Sequence, residues 1–164
     1  MEIRPYRNTD DVPIVRLFQD TVHLSTTPDY TPVQQDAWAP VAIDPAQWCA
    51  PLANDDTLVA VVNDEIVGFA NMTATGYLDR LYVHFAHQRE GIATQLVGQL
   101  EDDARRAGVR TVTVAASLTA EPFFHHQGYH VLHRNTVLRH GVALRNATMA
   151  KVLGTQRCPD RKDR

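Results

Sequence analysis

The sequence has little of several features that mark particular classes of protein. Its two cysteines, Cys49 and Cys158, lie far apart, so we expect free thiols in a reducing compartment and not a disulfide framework. No hydrophobic run is long enough to span a membrane, and the first residues lack the apolar stretch of an export signal; we therefore expect a cytoplasmic protein without a membrane partner. A net charge of −3 gives no basic surface of the kind that binds nucleic acid.

The common glycine-rich phosphate motifs are also missing. There is neither a G-x-G-x-x-G dinucleotide fingerprint nor the G-K-[ST] of a P-loop. The hydrophobic fraction of 44% and the charged fraction of 21% are ordinary for a globular protein. The length of 164 residues predicts one domain, over residues 1–153, followed by a polar and flexible tail over 154–164.

The hydrophobic periodicity predicts an α+β fold. Strands are predicted over 3–6, 57–62, 66–73, 77–84, 111–116, 129–138 and 142–151, and helices over 10–23, 33–38, 45–52, 92–107 and 119–128. This order predicts a mixed, largely antiparallel central sheet flanked by helices on both faces, with an edge strand in the last hairpin that could support a homodimer.

Helix starts are marked by capping residues. One of residues 8–10 is expected to cap the first helix. Thr31 and Asp44, each followed by proline, are expected to cap the second and third, and Thr119 is expected to cap the short late helix.

The segment 77–94, YLDRLYVHFAHQREGIAT, is the most informative. It reads as a strand, a polar loop containing Gly91, and the start of an amphipathic helix. Free N–H groups in the first turn of a helix, together with the helix dipole, favour an anion. A glycine in this position can also form a plain turn, but the pattern is compatible with a phosphorylated cofactor.

Three segments in order resemble the GNAT N-acetyltransferase superfamily. They are Leu81-Tyr82-Val83-His84 followed by Gln88-Arg89-Glu90-Gly91-Ile92-Ala93, the helix end Ala104-Arg105-Arg106-Ala107-Gly108, and Ser117-x-x-Ala120-x-x-Phe123-Phe124-x-x-x-Gly128-Tyr129. The early stretch Tyr30-Thr31-Pro32, followed by Gln35 and by Ala37-Trp38-Ala39-Pro40, resembles a YafP-like bacterial subgroup.

The resemblance implies an N-acetyltransferase that uses acetyl-CoA, or another acyl-CoA, as donor. It also implies that the donor and a small molecule with a primary amine bind together in a ternary complex, in which the amine attacks the thioester directly. The residues that would contact the donor are Leu81, Tyr82, Val83, Gln88, Arg89, Glu90, Gly91, Ile92, Ala93, Thr94, Ser117 and Phe124. Residues 88–94 would hold the pyrophosphate, and the backbone near Leu81 and Tyr82 would receive the acetyl group.

Alternation along strand 77–83 predicts that the side chains at positions 77, 79, 81 and 83 share one face. Asp79 is the candidate base, acting through water; the alternative is a salt bridge to Arg80 or Arg105. Tyr77 is a candidate for orienting water or substrate, and its alternative is packing at the edge of the sheet.

The late motif departs from the family at two positions. Phe124 stands where the family usually has the tyrosine that acts as general acid, which leaves His125, Tyr82 or solvent as the proton source. Ser117 replaces an asparagine that contacts the donor in the family. These departures keep open a non-catalytic acyl-CoA sensor as a second hypothesis, with protein-lysine acetylation as a third.

The acceptor site is expected in the region 20–50, where His23, Tyr30 and Trp38 are the candidates. The alternative for Trp38, and more so for Trp48, is packing of short helices onto the sheet. The histidines of the chain do not form a convergent ligand set, so we predict no metal site.

Overall fold

Seven strands and five α-helices follow one another in residues 1–154, the part of the chain that the computed structural model describes. The strands are β1 (Glu2–Pro5), β2 (Asp56–Val62), β3 (Glu65–Met72), β4 (Tyr77–Val83), β5 (Thr111–Ser117), β6 (His130–Arg139) and β7 (Val142–Val152). The helices are α1 (Asp11–Ser25), α2 (Pro32–Trp38), α3 (Pro45–Cys49), α4 (Ile92–Arg106) and α5 (Glu121–His126). The predicted α+β fold is confirmed, while nearly all of the predicted tail and Cys158 lie outside the described residues.

All strands join one sheet in the order β1-β2-β3-β4-β5-β7-β6. Neighbouring strands are antiparallel except β4 and β5, which run parallel. The parallel pairing covers only Tyr77 with Thr113 and Leu78 with Val114. Beyond Leu78, strand β4 therefore has no partner on the β5 side, and the two strands separate to leave a wedge-shaped gap in the sheet.

Helices cover both faces of the sheet, as predicted. On one face, Leu96 and Leu100 of α4 are fully buried in a cluster with side chains of the sheet. On the other face, Ile14 and Phe18 of α1 pack with Phe69 and with residues of the α2–α3 region. The apolar stripe of each helix supplies the buried contact that fixes it to the sheet.

Two of the predicted caps are confirmed. Thr31 accepts a hydrogen bond from the N–H of Gln34, whose side-chain oxygen accepts from the Thr31 N–H in return, which forms a capping box for α2. Asp44 accepts from the N–H groups of Ala46 and Gln47 and caps α3. The chain then continues from α3 in a 3₁₀ turn, Ala50–Ala53.

The other two predicted caps are wrong. Asp10 precedes α1 but does not cap it, because its carboxylate accepts from Arg4 at 2.9 Å and from the Arg7 N–H at 2.8 Å. Thr119 donates to Asp29 at 2.8 Å, and Ala120 takes the N-cap position of α5. In both cases a tertiary or medium-range partner satisfies the side chain better than the helix end does.

The middle of α4 is joined to the end of the sheet by a buried polar network. Glu101 accepts from the Tyr129 hydroxyl at 2.8 Å and from Lys151 Nζ at 2.7 Å. Burial, followed by the nearby Glu101 charge, strongly raises the pKa of Tyr129, so the phenol stays protonated and can donate. The Tyr129 ring packs edge-on against Phe124, with ring centroids 5.1 Å apart, in addition to this hydrogen bond.

Strands β1 and β6 form the two edges of the sheet, and β6 belongs to the last hairpin. Dimerisation through the β6 edge stays a prediction. Among the helices of residues 1–154, none combines the length and hydrophobicity that crossing a bilayer requires.

Candidate active site

A cleft of about 670 Å³ lies where β4 and β5 separate. This volume is within the usual range for pockets that hold small ligands. Of the predicted site residues, the cleft is lined by Trp38, Asp79, Leu81, Tyr82, Val83, Gln88, Arg89, Gly91, Ile92, Ala93, Thr94, Ser117 and Phe124. His23, Tyr30, Tyr77 and Glu90 are not part of the lining.

The N-terminus of α4 opens into this cleft. Gly91 precedes the helix at φ +80°, a left-handed conformation that disfavours a side chain, and Arg89 also has a positive φ of 63°. No side chain caps this end of the helix, so the N–H groups of its first turn are available to a ligand. The helix dipole adds partial positive charge, and the arrangement therefore suits an anion such as a phosphate.

Three side chains of residues 88–94 are held by contacts within the protein. Gln88 donates to Ser25 Oγ at 2.8 Å, which ties the loop to the last turn of α1. Glu90 pairs with His87 at 3.1 Å. Thr94 Oγ1 accepts from Gln127 at 3.3 Å, so its own hydroxyl proton remains available for donation. The loop can thus offer backbone N–H groups and one hydroxyl to an anion.

Strand β4 contains a bulge that the sequence did not reveal. Leu78 pairs with Met72 of β3, but Arg80 pairs with Asn71, so β4 carries one extra residue at Asp79. As a result Leu78, Leu81 and Val83 all pack on the α4 side of the sheet, whereas Tyr82 packs on the α1 side. The predicted common face holds for positions 81 and 83 but does not extend to 77 and 79, because the extra residue interrupts the alternation between them.

Asp79 lines the cleft with about a third of its side chain exposed (34%). Its Oδ2 atom lies 3.6 Å from Arg80 Nε and accepts from Asn71 Nδ2 at 3.4 Å. Arg80 is itself held over the Trp48 ring at 3.9 Å and donates to the Trp48 carbonyl. Of the two predicted alternative partners of Asp79, Arg80 is present at a loose distance.

Arg105, the other alternative, pairs with Asp102 on α4 and donates to Gly154 O at 3.0 Å. It does not take part in the environment of Asp79. The carboxylate of Asp79 is thus oriented by its neighbours on β3 and β4 alone, and it keeps access to the cleft.

Tyr82 forms part of an aromatic wall at the same end of the cleft. Its ring lies 4.9 Å from that of Phe18 and 6.4 Å from that of Trp38. Burial raises the pKa of Tyr82 to about 12, because the phenolate would be poorly solvated there. The side chain is therefore a neutral phenol at physiological pH.

Tyr77 and His125, two further candidates for a part in the reaction, do not line the cleft. Tyr77 begins β4 and is 37% exposed; burial, followed by the charge of Asp79, raises its pKa. His125 is 52% exposed and pairs with Glu121 on α5 at 3.5 Å. Neither belongs to the cleft lining, although Tyr77 lies close enough to Asp79 for the charge of that carboxylate to act on its phenol.

Of the three predicted acceptor-site residues, only Trp38 reaches the cleft. His23 Nε2 lies 2.8 Å from the Ala39 carbonyl, and the Tyr30 hydroxyl donates to Arg145 O at 2.6 Å and accepts from Leu118 N at 3.0 Å. The Tyr30 ring also meets Trp38 edge-on at 5.3 Å. His23 and Tyr30 thus hold the segment that carries Trp38.

Phe124 and Ser117 form the β5–α5 side of the cleft. Phe124 is 2% exposed and packs edge-on against Phe123 and Tyr129. Ser117 Oγ accepts from the Ala120 N–H at 3.1 Å, which leaves the serine hydroxyl proton free to donate.

The described part of the chain offers neither a reactive thiol nor a metal-binding group in the cleft. Cys49 is buried, and burial raises the pKa of its thiol to about 12. Within residues 1–154, no cluster of three or more His, Cys, Asp or Glu side chains could hold a metal ion.

Sequence reasoning missed two parts of the lining. Thr21 and Ser25 project from the last turns of α1, and Pro122 and Phe123 come from α5. Phe123 belongs to the late motif and could have been included on that basis. The α1 residues had no sequence signal, because their place depends on how α1 crosses the sheet.

Comparison with known proteins places this geometry among acetyltransferases. Residues 26–153 match the family model described as the acetyltransferase (GNAT) domain. A relative described as the uncharacterized N-acetyltransferase YafP of Escherichia coli (strain K12) is 31% identical over 149 residues, covering 91% of this chain and 94% of that protein.

Solved structures agree. A GCN5-related N-acetyltransferase from Rhodopseudomonas palustris is 37% identical and superposes with a TM-score of 0.89 over 93% of this chain and 95% of that one. The acetyltransferase YncA of Salmonella typhimurium, described as putative and solved with its cofactor acetyl-CoA, shares the fold at 22% identity, with a TM-score of 0.72 over 98% of both chains. These matches confirm the resemblance found in the sequence.

Proposed function

The chain belongs to the GNAT acetyltransferase family, and on that premise we propose that it transfers the acetyl group of acetyl-CoA to the primary amine of a small molecule in the cytoplasm. The observation that carries the proposal is the uncapped N-terminus of α4, which opens into the wedge between β4 and β5. An anion site beside a strand with an open edge suits a donor made of a pyrophosphate and an extended amide arm.

The fit of the donor to these residues is good. The N–H groups at the start of α4 and the Thr94 hydroxyl would hold the pyrophosphate. The arm would lie along residues 79–83, whose backbone has no partner on β5, and its polar groups would replace the missing strand pairing. Ser117 would offer a hydroxyl, and Phe124 an apolar wall, from the opposite side.

The reaction forms a C–N bond and breaks the C–S bond of the thioester. Asp79, through a water molecule, takes the proton that the attacking ammonium must lose. A backbone N–H at Leu81 or Tyr82 stabilises the oxyanion of the tetrahedral intermediate. The buried Cys49 thiol lies outside the cleft, which supports direct attack over an acyl-cysteine intermediate.

The leaving thiolate takes its proton from solvent in this proposal. An alkyl thiol ionises near pH 8.5, roughly, whereas a phenol such as Tyr82 with a pKa of about 12 holds its proton much more tightly. Phe124 cannot donate a proton at all. A thiolate is stable enough at neutral pH to depart without an acid.

The acceptor is proposed to bind at the end of the cleft lined by Trp38, Tyr82 and Asp79. The aromatic rings suit an amine with an apolar or aromatic body, and the carboxylate suits its ammonium group. His23 and Tyr30 take part by holding the chain around Trp38.

The proposal is tested by two measurements on the purified protein. Isothermal titration measures acetyl-CoA binding, and a thiol reagent measures CoA release from acetyl-CoA in the presence of a panel of small amines. We expect binding, and release that depends on a particular amine. Asp79→Asn should lower kcat by about 100-fold or more, as expected for loss of a general base, with acetyl-CoA affinity nearly unchanged.

Asp102→Asn is the matched control, because Asp102 is an exposed carboxylate on α4 that does not line the cleft. Its kcat should equal that of the wild type. Binding without release for any amine would favour the acyl-CoA sensor, and release only with lysine-containing peptides would favour protein-lysine acetylation. A folded protein that does not bind acetyl-CoA would contradict the proposal.

A further inference from the structure

Asn71 on β3 is a buried polar residue to which neither the family motifs nor the proposed reaction gives a role. Its side chain is fully buried (0% exposed). Its Nδ2 atom donates to Asp55 Oδ2 at 2.8 Å and to Asp79 Oδ2 at 3.4 Å. Both N–H groups of one amide are therefore directed at two carboxylates.

This arrangement fixes which way the amide is turned. Reversing it would bring the carbonyl oxygen of Asn71 against two carboxylates, where acceptors would face acceptors. The Oδ1 atom consequently lies on the other side, where it is buried and has no hydrogen-bond partner within residues 1–154. In this orientation the Nδ2 group of Asn71 is hydrogen-bonded, and its Oδ1 atom is not.

Such an unpaired carbonyl destabilises a fold. Leucine has the same number of side-chain heavy atoms as asparagine, branches at the same carbon, and would carry no polar atom. The hydrogen bond to Asp55 contributes to stability, but it uses only one of the two N–H groups, so the second, directed at Asp79, is the property to be explained.

Resting on the proposed function, we propose that Asn71 is a positioning residue that orients the carboxylate of Asp79 toward the cleft. Asp79 is the extra residue of the β4 bulge, so strand pairing alone leaves it without a register partner. Asn71 Nδ2 and Arg80 Nε both approach its Oδ2 atom. Among contacts between the described residues, Oδ1 is left for water or substrate.

The test compares Asn71→Leu with the wild type. We expect kcat to fall by about 10- to 100-fold, the usual effect of misplacing a reacting group, with little change in acetyl-CoA affinity. Loss of the 2.8 Å hydrogen bond to Asp55 should lower the melting temperature as well, so the readout is kcat and not stability. In the Asp79→Asn background the same substitution should cause no further loss of kcat, because Asn71 acts through Asp79.

Thr57→Val is the matched control. Thr57 is the register partner of Asn71 on β2, is 5% exposed, and donates to the Leu52 carbonyl at 2.7 Å. Its replacement should lower the melting temperature but leave kcat unchanged. A structural role for Asn71 would give the same pattern as Thr57→Val, and independent losses in the Asp79→Asn background would equally overturn the inference.

A spectroscopic arm does not depend on turnover. The side-chain amide protons of Asn71, assigned in the NMR spectrum by their absence in Asn71→Leu, should shift in Asp79→Asn and remain in place in Asp102→Asn. An unshifted signal overturns the inference whatever the enzyme assays show. If the Asn71 signal shifts as expected in Asp79→Asn but the wild type releases no CoA with any amine, the proposed function is overturned, and with it the catalytic purpose of the contact.

Discussion

Gly91 allows the proposed anion site to be tested against a matched position in the same helix. Gly91 precedes α4 at φ +80°, and Gly108 follows it at φ +86°. At both positions a Cβ atom would meet no atom within 4 Å. Replacement by alanine therefore creates no steric clash within the protein, and each variant suffers only the backbone strain of a side chain in the left-handed region.

That strain is about 1–2 kcal/mol for a non-glycine residue. A domain of this size loses about 2–4 °C in melting temperature for each kcal/mol. Gly91→Ala and Gly108→Ala should therefore both melt about 2–8 °C below the wild type. The two variants should be nearly indistinguishable in this assay.

Binding of acetyl-CoA should separate them. Gly91 lines the cleft, and a methyl group there would occupy space needed for a phosphate to reach the N–H groups of α4. Losing a hydrogen bond to a charged group costs about 1.5–3 kcal/mol, which corresponds to a roughly 10- to 150-fold weaker Kd. Gly108→Ala should bind as the wild type does.

Isothermal titration of both variants, below their melting temperatures, measures this difference. If Gly91→Ala binds acetyl-CoA as tightly as Gly108→Ala, the loop 88–91 is only a turn. The proposed position of the pyrophosphate would then be wrong, even if the protein were an active acetyltransferase.

Two further predictions concern stability. Tyr129→Phe removes the hydrogen bond to Glu101 and should lower the free energy of unfolding in urea by about 1.5–3 kcal/mol without changing acetyl-CoA affinity, since Tyr129 lies outside the cleft; a loss below roughly 0.5 kcal/mol would contradict a strong buried bond. For Asp10, burial opposes ionisation, but hydrogen bonds from Arg4 and the Arg7 N–H outweigh it and lower the pKa of the carboxyl group. A carboxyl group with a lowered pKa stabilises the fold at any pH above its pKa in the unfolded chain, which is about 3.9. This stabilisation is lost as the pH falls through the pKa in the folded state. Asp10→Asn should therefore unfold more easily than the wild type at pH 7, and the difference measured in urea should shrink in acid; a constant difference across pH would refute the role of the charge.

Local signals made much of the fold predictable from the sequence. The prolines after Thr31 and Asp44 mark two helix starts, and both residues cap their helices in the structure. Gly91 marked the junction of strand and helix that opens into the cleft. Each of these features depends on residues within one helical turn of one another, so the chain itself contains the information.

The features that were missed depend on distant segments. The bulge at Asp79 exists only in the register of β4 against β3, and no pattern within β4 announces it. The local sequence predicts Thr119 as a cap, but its partner Asp29 is 90 residues away in the chain. Tyr30 was expected to contact the acceptor, whereas its hydroxyl is satisfied by Leu118 and Arg145.

The two hydrogen bonds of Tyr30 also bear on how the protein folds. They join Tyr30 to Leu118 and to Arg145, which lie 88 and 115 residues further along the chain, whereas the hairpins of the sheet pair residues that are close in sequence. Closing loops of this length has an entropic cost that nearby contacts do not have, so we expect these bonds to form late in folding. A nascent chain that has completed the strand, loop and helix of residues 77–106 therefore contains the turn at Gly91 before it has β5 and α5, which form the opposite side of the cleft.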